Sequence, residues 1–332
     1  MSNIKRYLII DCHNHLYPTS DAGRGMKREG EILTAPGYGT GSYGLIEDAV
    51  ANMERANIRK TFILPMMPVG AMRNKRLSAL PGNLPAERRE QAEKEIDSLL
   101  VDRIQRLNRW ACKVAREDER FVAFFIVDPI MGPDLMRQEI RDLVTGQGAM
   151  GLGELVPDQM GRMLQGLCAN DSSLWPMWET AVELDIPVLG HFGPSHPHPI
   201  TGGAVYQNNP EYWFDALDRF SKLKLVELHM NITLNTRWPE LYRASRQAGI
   251  AFAKEHPEVI CDVSGNLGYG TPVEDLVGVI REVGAERVIW GSDFMWVDPV
   301  KEIEAMVESS LTEREKRLVL GENAARIFNL AV

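Results

Sequence analysis

Two histidines lie one residue apart at the end of an apolar run near the start of the chain, in IIDCHNHLYP (9–18). Side chains along a strand alternate between its two faces, so His13 and His15 point to the same side. Two imidazoles on one side of a strand end can share a metal ion, although solvated or hydrogen-bonded histidines produce the same pattern. The pair alone leaves both interpretations open.

Further metal-binding residue types follow other apolar runs. Of the seven histidines, His191 and His229 end two such runs, and the carboxylates Glu154 in "GLGEL" and Asp293 in "WGSDF" end two more. Random placement would not concentrate these residues at the ends of apolar runs. Imidazole and carboxylate ligands together suit zinc, manganese or iron. The sequence therefore predicts a metal site, provided that the fold brings these strand ends together.

An α/β barrel would bring them together. Short apolar, β-branched runs alternate with helical patterns along the chain, as expected for parallel strands covered on both faces. The eight runs are Tyr7–Cys12, Lys60–Met66, Arg120–Asp128, Gly148–Leu155, Ile186–Phe192, Leu223–Met230, Glu258–Ser264 and Arg287–Asp293. Eight strand–helix units predict a (β/α)8 TIM barrel better than an open doubly wound sheet. We expect one domain over residues 1–332.

Three connections are longer than packing requires. They cover about 16–46, 67–84 and 193–211, and each follows a predicted strand. In a barrel they would lie at the C-terminal face, where active sites of this fold are built. The longest helical pattern runs from about Ala86 to Glu117 and carries an apolar stripe that suits core packing.

Composition narrows the class of partner. The formal net charge is −9 with both signs mixed along the chain, which argues against a nucleic-acid surface or a polybasic membrane anchor. No apolar stretch approaches the roughly 20 residues of a membrane helix, and the first residues lack the pattern of a secretion signal. The four cysteines form no CxxC pair, which suits a reducing compartment. We expect a cytoplasmic protein that acts on a small molecule.

Several residues near the predicted rim can contact a substrate. Arg73 and Arg237 can clamp a carboxylate with two hydrogen bonds each, although loop arginines are often solvated. Trp296 suits a flat or aromatic substrate, although aromatic residues also pack loops. His196 and His198 in "HPHP" can shuttle protons or lie solvated in a rigid proline-rich lid. These residues lead us to expect a small substrate that carries a carboxylate.

The motifs "DCHNH", "GHFG", "ELHMN", "WGSDF" and "LGENAARIF", in this order, resemble the amidohydrolase superfamily. The resemblance is to the amidohydrolase-related branch, which contains aminocarboxymuconate-semialdehyde decarboxylase, resorcylate-type decarboxylases and lactone hydrolases. It implies a (β/α)8 barrel and commonly a homo-oligomer such as a dimer. It also implies that His13 and His15 are ligands after strand one and that His191 and His229 are ligands or contacts after strands five and six. Asp293 would be a ligand that also moves protons.

Glu154 decides between reactions within this family. Two-metal members use a bridging group on strand four, either a carboxylated lysine or a glutamate, and "GLGEL" resembles the glutamate version. We therefore expect one or two divalent ions per chain, zinc before manganese or iron. A bridging water with a pKa near roughly 7 would attack an amide or lactone carbonyl, with Asp293 passing its proton to the leaving group. This predicts a metal-dependent hydrolase.

Three alternatives remain open. A single ion, held mainly by His13, His15, His191 and Asp293, would favour decarboxylation of an aromatic or muconate-like acid, with His229 as an acid or base. Iron or manganese on the same ligands would allow oxygen activation. A barrel that has lost its chemistry could serve as a non-catalytic subunit, but the complete ligand set argues against this.

Overall fold

The computed structural model describes residues 4–31, 34–156, 163–192, 210–230 and 239–332. Its eight strands form one sheet in which each strand pairs in parallel with the next along the chain. They are β1 (Ile9–Asp11), β2 (Ile58–Ile63), β3 (Phe121–Phe125), β4 (Gly151–Leu155), β5 (Pro187–His191), β6 (Lys224–Leu228), β7 (Ile260–Asp262) and β8 (Val288–Ile289). All eight predicted strands are present, and each is shorter than its apolar run.

Contacts between the last strand and the first close the sheet into a barrel. The amide of Cys12 donates to the carbonyl of Trp290 over 3.2 Å, and the amide of Asp293 donates to the carbonyl of His13 over 3.0 Å. Ser292 donates to buried Asp11 from its amide over 2.8 Å and from its hydroxyl over 2.7 Å. The predicted (β/α)8 TIM barrel is confirmed, and its closure brings the ends of β1 and β8 together.

Helices surround the sheet. They are α1 (Ser20–Glu31), α2 (Ile46–Ala56), α3 (Val69–Ser78), α4 (Ala86–Glu117), α5 (Pro133–Arg141), α6 (Trp175–Glu183), α7 (Pro210–Arg219), α8 (Pro239–Glu255), α9 (Val273–Val283), α10 (Pro299–Glu308), α11 (Glu313–Arg317) and α12 (Asn323–Ile327). The predicted helix over 86–117 is α4. The connections predicted over 16–46 and 67–84 contain α1 and α3, whereas 193–209 lies outside the described residues. The single-domain boundaries stay a prediction.

The core has two parts that follow from strand alternation. Val226 and Leu228 of β6 belong to the cluster that fills the barrel, whereas Leu225 packs in the larger cluster between sheet and helices. Phe62 and Phe124 anchor the inner cluster with their ring centroids 5.0 Å apart. Each fully buried large apolar side chain contributes about 1.5–3 kcal/mol, so both layers hold the strand ends in place. None of the described helices combines the length and the apolar character needed to cross a membrane.

Candidate metal site

His13 and His15 follow β1 and are fully buried, with their Nε2 atoms 3.2 Å apart. Nδ1 of His15 lies 3.0 Å from the carbonyl oxygen of Leu64. A carbonyl oxygen only accepts hydrogen bonds, so Nδ1 of His15 carries the proton and Nε2 is the nitrogen that can bind an ion. The structure therefore brings the two imidazoles together on one side, as their spacing predicts.

Two carboxylates converge on this imidazole pair. Oε2 of Glu154, in β4, lies 3.4 Å from Nε2 of His13 and 3.2 Å from Nε2 of His15. Oδ1 of Asp293, after β8, lies 3.6 Å and 3.2 Å from the same nitrogens. Both oxygens are buried, and neither has a hydrogen-bonding partner in the described part of the chain.

This spacing fits the donors of one divalent ion. Two ligand atoms that each lie about 2.1 Å from an ion are roughly 3.0–3.5 Å apart at tetrahedral or octahedral angles. The distance between the His13 and His15 nitrogens and three of their four distances to the unpartnered oxygens of Glu154 and Asp293 lie in that range, and the fourth, from His13 to Asp293, is 3.6 Å. Buried carboxylate oxygens without a partner are costly, and an ion would satisfy both.

The electrostatics agree with such a site. Burial disfavours the charged imidazole of His13, but the carboxylates around it outweigh burial and raise its pKa well above the ordinary value. The pKa of His15 is raised against burial in the same way by Asp293 and Glu154. Conversely, burial favours protonated carboxyls, but the imidazoles hold the pKa of Glu154 and Asp293 below their usual range. Without an ion, imidazole protons balance the carboxylates, and a bound ion would replace those protons.

His229 and His191 contact the other oxygen of Glu154. Nε2 of His229 lies 3.3 Å from Oε1, and Nδ1 of His191 lies 2.5 Å from it. Among the described residues, the groups whose ligand atoms could hold an ion are His13, Glu154 and His229, and His13, His15 and Asp293. His191 belongs to neither group, and its predicted role as a ligand stays a prediction.

Three backbone positions at the site adopt left-handed conformations. The φ angles are 65° at His229, 51° at Met230 and 57° at Asp293. Residues other than glycine rarely adopt such angles, although aspartate tolerates them better than most. The turns let side chains just beyond β6 and β8 reach the centre of the barrel mouth. Strained backbone of this kind is typical of functional sites.

The segment that follows β7 supplies site residues that sequence reasoning missed. Oγ of Ser264 lies 2.9 Å from Nδ1 of His13 and 3.0 Å from Nδ1 of His229, and it donates to Asp262. The hydroxyl of Tyr269 donates to Oδ2 of Asp293 over 2.5 Å. Asp262 and Ser264 are separated by one residue at the end of a strand, as His13 and His15 are. This spacing could have identified them from the sequence. Nothing in the sequence marks Tyr269.

Trp296 is buried beside the cluster. Its ring centroid lies 4.9 Å from that of His15, and its indole Nε1 donates to the carbonyl of Lys27 over 3.1 Å. The ring thus packs against a metal-site imidazole and is anchored at its polar end. Its predicted contact with substrate stays a prediction.

Arg73 and Arg237 are the two arginines predicted to bind a substrate carboxylate, and only Arg73 lies in the described part of the chain. Arg73, in α3, binds Asp97 of α4 with two hydrogen bonds of 2.7 Å and 3.0 Å. Its guanidinium is therefore already engaged by a protein carboxylate, so a substrate would have to compete for it. Arg237, His196 and His198 lie outside the described residues. The substrate-binding roles of both arginines stay predictions.

A family model and two solved structures match almost the whole chain, and one relative by sequence matches 66% of it. A family model described as Amidohydrolase matches residues 10–330. A gamma-resorcylate decarboxylase of Polaromonas sp. (strain JS666) is 24% identical over 244 residues, which cover 66% of this chain and 73% of that protein. The crystal structure of 5-carboxyvanillate decarboxylase from Sphingomonas paucimobilis has a TM-score of 0.64 at 19% identity, covering 98% of this chain and 100% of that one. A second 5-carboxyvanillate decarboxylase, from Novosphingobium aromaticivorans with manganese and 4-hydroxy-3-methoxy-5-nitrobenzoic acid, has a TM-score of 0.63 at 17% identity, covering 98% and 97%.

These relatives correct the prediction of an amide or lactone hydrolase, because all three are decarboxylases. The hydrolase prediction depended on Glu154 bridging two ions. In the structure Oε1 of Glu154 lies 2.5 Å from His191, a hydrogen-bonding distance that leaves no space for an ion between the two groups. The expectation of zinc has no support in the relatives, one of which contains manganese.

Proposed function

The chain belongs to the amidohydrolase family, as the sequence motifs indicate, and on this basis we propose that it is a metal-dependent decarboxylase of an aromatic carboxylic acid. The observation that carries the proposal is a buried pair of imidazole nitrogens with an unpartnered carboxylate oxygen of Glu154 and another of Asp293 within 3.2–3.6 Å of them. We propose one ion because the 2.5 Å contact between Oε1 of Glu154 and Nδ1 of His191 leaves no space for a second ion between these two groups. The decarboxylase relatives supply the reaction class.

His13, His15, Glu154 and Asp293 are the proposed ligands. Their atoms have the types and the separations that a divalent transition metal requires. Manganese is the first candidate because a solved decarboxylase relative contains it. Zinc and iron accept the same ligands, so the metal has to be identified by analysis of the purified protein.

The bound ion would act as a Lewis acid that orders the substrate carboxylate and an adjacent hydroxyl. The protein contributes a dry, rigid frame, since His13, His15, Glu154 and Asp293 are at most 5% exposed. Water exclusion strengthens the interactions that hold an anionic substrate in one orientation. The indole ring of Trp296, beside His15, would restrict the orientation of an aromatic substrate ring. Arg237, which lies outside the described residues, and Arg73 remain the proposed carboxylate-binding arginines.

Decarboxylation needs a proton at the ring carbon that loses the carboxylate. The bond between that carbon and the carboxylate breaks, carbon dioxide leaves, and the electron pair remaining on the ring carbon takes the proton. Asp293 and His229 are the proposed groups that relay this proton from solvent to the ring carbon, His229 through Nε2. Oδ1 of Asp293 has no hydrogen-bonding partner within the described residues, and Nε2 of His229 faces the Glu154 carboxylate.

The proposal is tested with a panel of substrates. The protein, loaded with manganese, is mixed separately with 2,6-dihydroxybenzoate, 5-carboxyvanillate, simple lactones and simple amides, while carbon dioxide release and ultraviolet absorbance are followed. We expect carbon dioxide from at least one aromatic acid and no hydrolysis. Asp293→Asn should fold and lose about 10²–10⁴-fold in kcat. Hydrolysis of a lactone or amide without carbon dioxide release would refute the proposal, and oxygen consumption would indicate oxidative chemistry instead.

The proposal also defines the class of substrate. The substrate would be a small carboxylate-bearing acid, which agrees with the expectation from the sequence. A homo-oligomer and a cytoplasmic location stay predictions, the first of them implied by family resemblance.

A further inference from the structure

We propose that Ser264 is a positioning residue that fixes the orientation and the tautomer of two imidazoles at once, those of His13 and His229. The inference rests on the proposed function, in which His13 binds the ion and His229 serves proton transfer. Ser264 lies two residues beyond β7 and is fully buried. It therefore links the ends of three strands, β1, β6 and β7.

The hydrogen-bonding capacity of one hydroxyl determines the arrangement. A serine hydroxyl donates once and accepts twice. Oγ of Ser264 has three close partners: Oδ1 of Asp262, Nδ1 of His13 at 2.9 Å and Nδ1 of His229 at 3.0 Å. The carboxylate of Asp262 only accepts, so the hydroxyl donates to it. Both imidazole Nδ1 atoms must then donate to the hydroxyl oxygen.

This assignment leaves both Nε2 atoms aimed at the centre of the site. Nε2 of His13 lies 3.4 Å from Oε2 of Glu154, and Nε2 of His229 lies 3.3 Å from Oε1 of the same residue. Neutral imidazoles in this tautomer carry the Nε2 lone pair that an ion or a transferred proton requires. The carbonyl of Ser264 also accepts from Nδ1 of His229 over 3.2 Å, which reinforces the same tautomer.

Asp262 keeps the serine in place. Its Oδ1 accepts the amide of Ser264 over 2.9 Å and the amide of His229 over 3.2 Å. One carboxylate oxygen therefore holds the hydroxyl of Ser264, its backbone, and the left-handed turn that carries His229. Because a single oxygen accepts all three hydrogen bonds, it holds the Ser264 hydroxyl between the two imidazole rings.

If Ser264 only stabilised the fold, its removal would have a different effect. Loss of an ordinary buried hydrogen bond lowers the free energy of unfolding and leaves the affinity for a metal unchanged. Loss of a group that orients a metal-binding histidine typically weakens metal binding by about 10–100-fold. Metal affinity thus separates the two roles, and it does so without reference to any substrate.

The test compares the full-length protein with Ser264→Ala and Ser264→Cys, the second being a close size match whose sulfur accepts hydrogen bonds only weakly. Ser309→Ala serves as the control, because Ser309 is also buried, and its hydroxyl donates to the carbonyl of Met306 and accepts from the amide of Leu311, neither of which belongs to the metal site. Manganese affinity is measured by competition with a chelating dye. We expect about 10–100-fold weaker binding in both Ser264 variants and unchanged binding in the control.

A second readout follows the tautomers directly. In protein loaded with zinc as a diamagnetic probe and labelled with 15N in histidine, Nδ1 of His229 should report a protonated nitrogen. In the Ser264 variants this signal should shift toward a mixture of tautomers. Wild-type manganese affinity in both variants, or an unchanged His229 spectrum, would overturn the proposal. If the wild-type protein binds manganese but decarboxylates no acid, the proposed function fails while the affinity test of Ser264 remains decisive.

Discussion

Oε1 of Glu154 lies 2.5 Å from Nδ1 of His191, and this contact turns Oε2 of the same carboxylate toward His13 and His15. One glutamate therefore serves two groups of imidazoles, one through each oxygen. Because Oε1 already contacts His191 and Oε2 has no hydrogen-bonding partner among the described residues, we assign Oε2 to the ion. This division of the carboxylate is the basis for assigning one ion to the site.

The first prediction concerns metal content. Protein purified without chelator should contain one divalent ion per chain by elemental analysis. Glu154→Gln removes the charge of one ligand while keeping its shape, so manganese binding should weaken by about 10–100-fold. Glu227→Gln, which alters a buried glutamate of β6, is the matched control and should keep the ion. Two ions per chain in the wild-type protein would restore the bridged site.

Tyr269 should affect turnover through Asp293. Its hydroxyl donates to Oδ2, so Tyr269→Phe would free Asp293 to rotate away from His15. We expect kcat to fall by roughly tenfold or more, with KM changed little, because the tyrosine contacts the catalytic carboxylate. Tyr7→Phe removes a comparable bond to Glu313 near the N-terminus and should leave kcat unchanged. Steady-state kinetics with both variants tests this, and equal kcat values would contradict it.

Metal binding should strengthen as the pH rises. The carboxylates raise the pKa of His13 and His15, and each imidazole must lose its proton before Nε2 can bind an ion. Protonated imidazoles predominate below those raised pKa values, so affinity falls toward acid and protons are released on binding. Calorimetric titration with manganese at pH 6 and pH 8, in buffers of different ionisation enthalpy, measures both effects. Affinity that is independent of pH would count against this electrostatic account.

Asp128, buried three residues beyond β3, should make stability depend on pH. Burial raises its pKa from 3.8 to about 6, so the folded state binds a proton more tightly than the unfolded state does. Its contribution to stability is complete below about pH 4 and is lost as the pH rises through about 6. Asp128→Asn should therefore raise the free energy of unfolding at pH 7.5 by about 1–3 kcal/mol.

The gain from Asp128→Asn should shrink toward pH 4, where the wild-type carboxyl is protonated as well. Denaturant unfolding at the two pH values measures the difference. Asp134→Asn, at a fully exposed position of α5, is the control and should change stability little at either pH. A gain of equal size at both pH values would show that Asp128 is not the titrating group.

The fold and much of the site could be predicted from sequence for a simple reason. Parallel strands buried on both faces leave continuous apolar runs, and the residues that end those runs meet at one rim. His13, His15, Glu154, His229 and Asp293 were found in this way, and the structure brings them together.

The other features depend on tertiary geometry that spacing does not encode. Ser264 and Tyr269 act on His13 and Asp293 only because barrel closure brings β7 and β8 against β1. The hydrolase prediction was wrong because a glutamate on strand four suits a bridge between two ions by type alone. Which partner each of its oxygens would face could not be read from "GLGEL".

The proposed decarboxylation of an aromatic acid is tested most directly by running the reaction in heavy water and following it by proton NMR. The manganese-loaded protein is incubated in D2O with each aromatic acid of the substrate panel. We predict a product with one deuterium at the carbon that carried the carboxylate, formed about 10²–10⁴-fold more slowly by Asp293→Asn. Recovery of intact acid from every incubation, or a product that retains the carboxylate, would contradict it.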